Sequence, residues 1–589
     1  MAALLGFEKS TTSEAITVSR WEIIITEQIN KFFDAATSLP SVSTFTLGPQ
    51  KQGLRVGSGV IAGFNLRLET FRNLRYRSNV SYLELSRDGT MTTLQTAHPP
   101  STFPSLRTGA EYLRSLNDGR QVFVDGERVA DVTKHPAFRE AARSVARLYD
   151  IAAAPEMRDR MTFPSPKTGG PVLRAFQIPR NHVDLRARRL FSETWAEATF
   201  GLMGRSPDHV ASFFAGYAAV PNVFAVGGQN LADNVVAFYE FIRDNHLYLS
   251  YAIVPPQIDR SKPAHKQSDP TLSAGVVKER DDGIVIAGAQ QVATGGALSD
   301  WIHLSCIHQL QPGDENYANC LAIPVNAPGV KLIPRRPFAL RADNSFDYPL
   351  SSRFDESDNY VVFDNVFVPW EHVFIYRNLQ LTRDQWYKTP SHSYGNHQAQ
   401  VRYVTKLRFM IGLAQRAVEM IGSAGSPQVQ ISMGELAALV SIYEGLLLAH
   451  EANAPIKDGI LWPSVVTLYS AMAMQSEFNG RMLEMIRELV SSSVISQPSS
   501  VADFENPEIA PMIERYMRSS SMDARSRTAL VRLLWDFLGT EFGSRHAQYE
   551  KFYGGSSLVV KQNVYRNFDF KRATDLVDKA LNLPTVHAK

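Results

Sequence analysis

Arg205 and His209 stand four residues apart in GLMGRSPDHVASFF (201–214), on either side of a helix-start signal. Ser206 offers a capping hydroxyl and Pro207 suits the first helical position, so a helix is expected to begin there with Asp208 and His209 in its first turn. Free N–H groups and a partial positive charge gather at such a start. They favour a nearby anion and disfavour protonation of an adjacent imidazole. His209 is thereby expected to be neutral and able to accept a proton or a hydrogen bond from a hydroxyl, with Arg205 beside it as a fixed cation. The pair suits a phenol that must gain phenolate character, or a peroxide anion that needs stabilising. A plainer reading also fits these residues: Arg205 as a surface ion-pair partner and His209 as an ordinary helix-start residue.

Helices must carry this pair. From Asp184 to Phe200 the apolar residues Leu185, Leu190, Phe191, Trp195 and Ala198 recur near the helical period, with Arg186, Arg188, Arg189, Glu193 and Glu197 largely on the other side. Gly201 and Gly204 end that helix. Further helical patterns cover Ala110–Leu116, Phe138–Tyr149 and Asn230–His246. The period then changes. In GVVKERDDGIVIAGAQQVATGG (275–296) apolar residues alternate around a DDG turn, as in a hairpin, and NCLAIPV (319–325), VKLIP (330–334) and NYVVFDNVFVPW (359–370) continue the strand pattern. Helical patterns return in Tyr403–Gly422, Met433–Ala452 and Arg525–Phe542. The expected architecture is α+β: an N-terminal extension over 1–105, a helical domain over 106–250, a β domain over 251–378 and a helical bundle over 379–589. The extension, rich in Ser and Thr, is expected to be an appendage or a poorly ordered tail, with one amphipathic helix near Trp21–Ala36.

The chain has 589 residues, 44% of them hydrophobic and 20% charged, as expected of a globular protein of about three or four units. A net charge of +2 gives no general reason to bind nucleic acid or an anionic membrane. The two cysteines, Cys306 and Cys320, are too few for a disulfide framework and lack metal-site spacing. No run of 18 apolar residues occurs, and the start lacks the features of a secretory signal, so a cytoplasmic protein is expected. Neither GxGxxG nor GxxxxGK[ST] is present, which excludes a Rossmann or P-loop turn as the holder of any nucleotide.

GLMGRSPDH and RTGAEYLRSLNDGRQVFVDGERVADVTKHPAFREAARSVARLYD (107–150) resemble the 4-hydroxyphenylacetate 3-monooxygenase family, the large oxygenase component of two-component flavin hydroxylases. The resemblance continues through YAIVPPQIDR (251–260), GIVIAGAQQVATGGALSD (283–300), YPLSSRFDESDNYVVFDNVFVPWEHVFIYRN (348–378) and FGSRHAQYEKFYGG (542–555), covering about 107–580. It implies an acyl-CoA-dehydrogenase-like fold with a β-barrel-like central domain and a homotetramer formed through the helical bundle. It also implies FADH2 delivered by a separate NAD(P)H-dependent reductase, reaction with O2 to a C4a-hydroperoxyflavin, and hydroxylation of a phenol next to its hydroxyl.

Position by position, the resemblance assigns Arg205 as the active-site arginine. The family usually has Tyr at the position of His209 and His at that of Tyr251, so the two types stand exchanged. Either the pair still grips the phenolic oxygen from opposite sides, or the site has moved to another substrate. For flavin, the resemblance points to Gln257, Ile258, Asp259 and Arg260, then Pro263 and Lys266, with Thr294 near N5 and Gly554, Gly555, Ser556 and Ser557 as a loop closing over the cofactor. At the substrate's far end, where relatives that take a phenylacetate present small hydroxyl residues, this chain offers Ile307 and His308. That suits a larger, amidated or uncharged phenol. No metal is implied. The iron–sulfur dehydratases of the same superfamily need three cysteines, more than this chain has. An acyl-CoA dehydrogenase would need a catalytic glutamate, for which only Glu444 in IYEGLLLAHE offers itself, and an inactive flavin-binding homologue is the remaining alternative.

Overall fold

The computed structural model describes residues 106–581 without a break, together with the backbone of six short strands between residues 45 and 94. The helix expected near Trp21–Ala36 lies outside the described residues. The chain divides into two compact units after Thr102. In the first, the strands pair antiparallel into one sheet, ordered 59–61, 54–56, 45–46, 90–94, 81–85, 75–78.

The second unit begins with helices. α1 (Gly109–Ser115) starts at a capping box in which Thr108 and Glu111 satisfy each other's backbone N–H groups. α2 (Arg139–Ala153) and α3 (His182–Ala198) follow, the latter capped by Asn181, then α4 (Asp208–Ala219) and α5 (Gln229–Asp244). Arg188, expected on the polar face of α3, is buried instead. Its Nη1 donates to the carbonyls of Ala175 and Gln177, each at 2.6 Å, and its Nη2 to Ser212 Oγ at 2.9 Å, so the guanidinium staples α3 to α4.

The expected helical segment also holds strands: a short pair over Thr162–Pro164 and Pro171–Leu173, and β1 (Gln121–Val124) and β2 (Glu127–Arg128), joined by Asp125 and Gly126, both at positive φ. This is the Asp-Gly hairpin turn. The β region contains β3 (Leu249–Ala252), β4 (Gly275–Arg280), β5 (Gly283–Thr294), β6 (Trp301–Leu304), β7 (Cys320–Pro324), β8 (Val330–Pro334), β9 (Asp358–Pro369) and β10 (Val373–Ile375). The β4–β5 hairpin forms as the DDG turn predicts. The strands make two open sheets, ordered β3-β6-β7-β10 and β4-β5-β9-β8-β1-β2, rather than a barrel. β1 joins β8 in parallel, so the N-terminal helical segment is tied into the sheet.

After α6 (Leu379–Tyr387), the longer C-terminal helices are α7 (Ser391–Ile421), α8 (Pro427–Ala452), α9 (Val465–Val490), α10 (Ala524–Leu538), α11 (Glu541–Phe552), α12 (Ser557–Asn567) and α13 (Phe570–Ala580), with a short helix over Ala510–Tyr516 between α9 and α10. α7 starts twelve residues before the expected Tyr403, because its first three turns bury polar side chains and show no apolar stripe. α4 and α7 approach closely through two glycines. A Cβ at Gly216 would lie 2.3 Å from Ser391 Cα, and one at Gly395 would lie 2.5 Å from the Phe213 ring. α8 is apolar and long enough to cross a membrane by composition alone, but it packs against α7 and α9, and Glu435, Glu444 and Glu451 along it are ion-paired.

Candidate active site

Arg205 sits in the turn between α3 and α4, where Gly201 adopts φ +67°; a Cβ there would meet the α7 backbone at Arg402 at 2.7 Å. The side chain is buried, not a surface ion-pair partner. Its Nη1 lies 2.7 Å from His209 Nε2, and its Nη2 reaches the Tyr553 carbonyl at 3.5 Å. The guanidinium lies over the rings of Tyr553 and Tyr251, 4.0 and 4.9 Å from their centres. No described carboxylate forms an ion pair with it; Glu356 accepts only its backbone N–H, at 2.7 Å. Buried charges are ordinarily paired, so a buried guanidinium left open is an anion site in waiting.

Ser206 does not cap the helix. Its hydroxyl donates to Asp208 Oδ1 at 2.6 Å, while Pro207 already has helical φ and ψ and the His209 N–H donates to the Ser206 carbonyl at 2.9 Å. Asp208 Oδ1 also accepts from Gln398 Nε2 at 3.1 Å, and Gln398 Oε1 lies 2.9 Å from His209 Nδ1. Two independent constraints therefore fix the imidazole. A guanidinium can only donate, so Nε2 must hold the lone pair; the amide turns its oxygen to Nδ1, so the proton sits there. The pKa of His209 lies well below the ordinary range, first through burial and then through the Arg205 charge. The neutral form read from the sequence is thus present, but Nε2 is occupied by Arg205, which makes His209 an orienter of the guanidinium rather than a free base.

Tyr251 lies in β3, paired in parallel with His303 of β6. Its ring is 5.5 Å from that of His209 and 5.9 Å from that of Phe213, and its hydroxyl has no hydrogen-bond partner among the described residues. Burial raises the Tyr251 pKa while Arg205 pulls it down.

Thr294 ends β5 next to a bulge that shifts the register between Gln290 and Ala293 and holds Val292 at φ 60°, a conformation a β-branched residue rarely takes. The bulge sets Thr294 directly opposite Asp358 of β9, and the Thr294 hydroxyl donates to Asp358 Oδ1 at 2.7 Å. Gly295 follows at φ +73°; a Cβ there would lie 2.3 Å from Tyr248 Oη, which donates to the Arg205 carbonyl at 2.7 Å. Glu356 links the two halves of the site. Besides the Arg205 N–H it holds Arg545 Nη1 at 3.3 Å, and its own carbonyl accepts the Gly295 N–H at 2.8 Å.

Most of the other expected residues are exposed. Gln257, Ile258 and Arg260 are exposed in the loop after β3, with Lys266 exposed and Pro263 half-buried further on; Asp259 folds that loop by accepting from Ser261 and pairing with Lys262. Ile307 and His308 are exposed beyond β6, where the Ile307 N–H donates to the Ile253 carbonyl at 3.2 Å. Although the His308 side chain reaches solvent, the protein packed around it and then the Arg260 charge lower its pKa, so this segment and the loop after β3 feel each other's charge. Gly554, Gly555, Ser556 and Ser557 form the turn into α12, with Gly555 at φ +103°. That turn begins directly after Tyr553, whose ring covers Arg205.

Sequence reasoning missed Gln398, Glu356, Asp358, Tyr553 and Phe213. Tyr553 is backed by a buried network in which Arg402 pairs with Glu550 and stacks on the Tyr553 ring at 4.5 Å, while Lys406 and Gln475 also hold Glu550 at 2.9 and 2.7 Å. The residues present fit a flavin: Thr294 offers a buried acceptor for a ring N–H, and Arg260 and Lys266 are exposed cations for a pyrophosphate. Glu444 is committed to Arg408 at 2.6 Å, and among the described residues no cluster of metal-ligating side chains occurs.

On this framework a buried guanidinium, without an ion-pair partner among the described residues, lies over the ring of Tyr251, whose hydroxyl has no partner among them either. The chain belongs to the 4-hydroxyphenylacetate 3-hydroxylase family, whose N-terminal profile matches residues 108–375 and whose C-terminal profile matches residues 382–582. It is 37% identical over 469 residues to the 4-hydroxyphenylacetate 3-monooxygenase oxygenase component of Pseudomonas aeruginosa, covering 78% of this chain and 88% of that one. It is 37% identical over 461 residues to a Rhodococcus 4-nitrophenol 2-monooxygenase oxygenase component, covering 77% and 87%. A crystal structure of the oxygenase component of 4-hydroxyphenylacetate 3-monooxygenase complexed with FAD and 4-hydroxyphenylacetate superposes with a TM-score of 0.77 at 32% identity, covering 81% of this chain and 98% of that one.

Proposed function

We propose that the chain is the oxygenase component of a two-component, FAD-dependent monooxygenase that hydroxylates a phenol next to its hydroxyl, taking FADH2 from a separate NAD(P)H-dependent reductase. The observation that carries this reading is Arg205: a buried guanidinium, oriented by His209, facing Tyr251, with no carboxylate partner among the described residues. Reduced flavin, when bound, supplies the electrons that activate O2. The chain's own residues bind and shield. Arg205 and Tyr251 grip the phenolic oxygen and favour its anionic form, which makes the adjacent ring carbon more nucleophilic. His209 holds Arg205 in place through Nε2, and the Phe213 and Tyr553 rings keep water from that oxygen. Thr294 would meet the flavin ring edge and Arg260 and Lys266 would hold the pyrophosphate, with the turn 554–557 beside Tyr553 covering the cofactor.

Ile307 and His308 at the rim favour an uncharged or amidated group at the far end of the phenol over a free carboxylate. Ile431, Ile442 and Leu448 on α8, and Leu558, Tyr565, Leu576 and Val577 on the last two helices, are large apolar side chains left exposed; covering them supports a homotetramer built through the bundle. The protein works in the cytoplasm, where NAD(P)H is supplied. Mass spectrometry of a phenol panel incubated with the purified chain, FADH2 and O2 tests the activity. A catechol product from at least one phenol is expected, without reduction of cytochrome c by the chain alone; flavin binding with no hydroxylated product from any phenol overturns it. Native mass spectrometry tests the tetramer.

A further inference from the structure

Thr294 and Asp358 carry an inference that rests on the functional reading above and deepens it. The Thr294 hydroxyl makes a single hydrogen bond among the described residues, donated to Asp358 Oδ1 at 2.7 Å. Asp358 has nothing to give in return. Arg545 donates to both of its oxygens, at 3.0 Å from Nε and 2.6 Å from Nη2, and Arg335 Nε adds a third bond at 2.9 Å. Burial alone would raise the Asp358 pKa, but the Arg545 and Arg335 charges outweigh it and hold the group ionised, far below the usual carboxylate range. An ionised carboxylate only accepts. The hydroxyl proton is therefore committed to Asp358, and the face of Thr294 turned away from it carries lone pairs alone.

The two oxidation states of an isoalloxazine differ at N5. The oxidised ring has a lone pair there and no hydrogen; the reduced ring has an N–H. Against a group that can only accept, the first meets repulsion and the second a hydrogen bond. We infer that Asp358 is a positioning residue that locks the Thr294 hydroxyl into an acceptor toward the flavin N5 edge and so makes the site prefer reduced over oxidised flavin. An oxygenase fed by a separate reductase gains from this, because it must capture FADH2 and let FAD go in a solution holding both. An asparagine at 358 would lift the restriction, since its amide can donate to Thr294 and free the hydroxyl to donate to oxidised N5.

The test needs no turnover. Affinities of the full-length chain for FADH2, measured anaerobically, and for FAD, measured in air, are compared by ultrafiltration without phenol. One hydrogen bond gained against one unmade acceptor pair predicts a preference for FADH2 of about tenfold in the native chain, equivalent to a bound couple about 30 mV more positive than free flavin. Thr294→Val should lose most of that preference, Thr294→Ser should keep it, and Asp358→Asn should lose it chiefly by binding FAD more tightly. Should Asp358→Asn not fold, Asp358→Glu, which keeps the charge for both arginines but displaces the oxygen, takes its place and should also lose the preference. A folded Asp358 variant with the native ratio overturns the role given to Asp358. A Thr294→Val variant with the native ratio overturns the whole inference while leaving flavin binding intact. A native chain that binds neither oxidation state defeats the functional reading itself, a separate result.

Discussion

If Arg205 stabilises a phenolate, the ionisation of a bound phenol must depend on it. The guanidinium is buried and, among the described residues, has no ion-paired carboxylate and keeps N–H groups unspent after contacting His209 and Tyr553. A hydrogen bond to a charged group contributes about 1.5–3 kcal/mol, which at roughly 1.4 kcal/mol per pKa unit lowers the pKa of the bound phenol by about one to two units. 4-Nitrophenol makes this visible, because its phenolate absorbs at longer wavelength than the neutral form. Titrating the bound ligand in the resting protein, without reductant, should show that shift in the native chain. Arg205→Gln, which keeps a planar donor but removes the charge, should lose at least about one unit of it. His209→Phe should lose a smaller part, since the cation remains but is no longer oriented. With FADH2 and O2 supplied, the Arg205 variant should release hydrogen peroxide in place of product. An identical bound-ligand pKa in the native and Arg205→Gln chains would refute the argument, whatever happens to turnover.

Gln398→Leu should strand the buried His209 Nδ1–H without an acceptor and take a donor from Asp208, lowering stability by about 1–3 kcal/mol and weakening phenol binding; in a His209→Phe background the same change should cost less, because only the Asp208 bond is then lost, which a double-mutant cycle measured by thermal melts checks. Glu550 is held down to about 2, because the Arg402 and Lys406 charges outweigh its burial, against an ordinary 4.5. The unfolded chain takes up this proton at higher pH than the native one, so the stabilisation is full above about pH 4.5 and fades as the pH falls toward about 2. Glu550→Gln should melt lower at neutral pH but show a flatter loss of melting temperature on acidification.

Several parts of this molecule were legible because a local rule sufficed. The β4–β5 hairpin follows from alternation around DDG, and α3 ends where Gly201 must take positive φ. The β1–β2 hairpin carried the same kind of signal in VFVDGER, overlooked because its surroundings read as helical. The start of α7 was not legible: Ser391, Ser393, Asn396, His397, Gln398, Gln400 and Arg402 are polar yet buried, so the helix has no apolar stripe to detect. The neutral state of His209 was anticipated, but from the helix start, whereas burial and Arg205 are what impose it. Partners set by long-range register could not be read at all. Asp358 is 64 positions from Thr294 and meets it only because a bulge in β5 fixes their pairing, and Tyr553 is 348 positions from Arg205.

Glu356 ties the Arg205 backbone, the Gly295 turn and Arg545 into one buried unit, while Ile307, His308 and the 257–266 loop ride outside it. Under the proposed function, such a division would let evolution retune the outer loops for guests with different tails without dismantling the buried unit. A protein engineer widening the range of accepted compounds would begin with those outer loops and leave the glutamate alone.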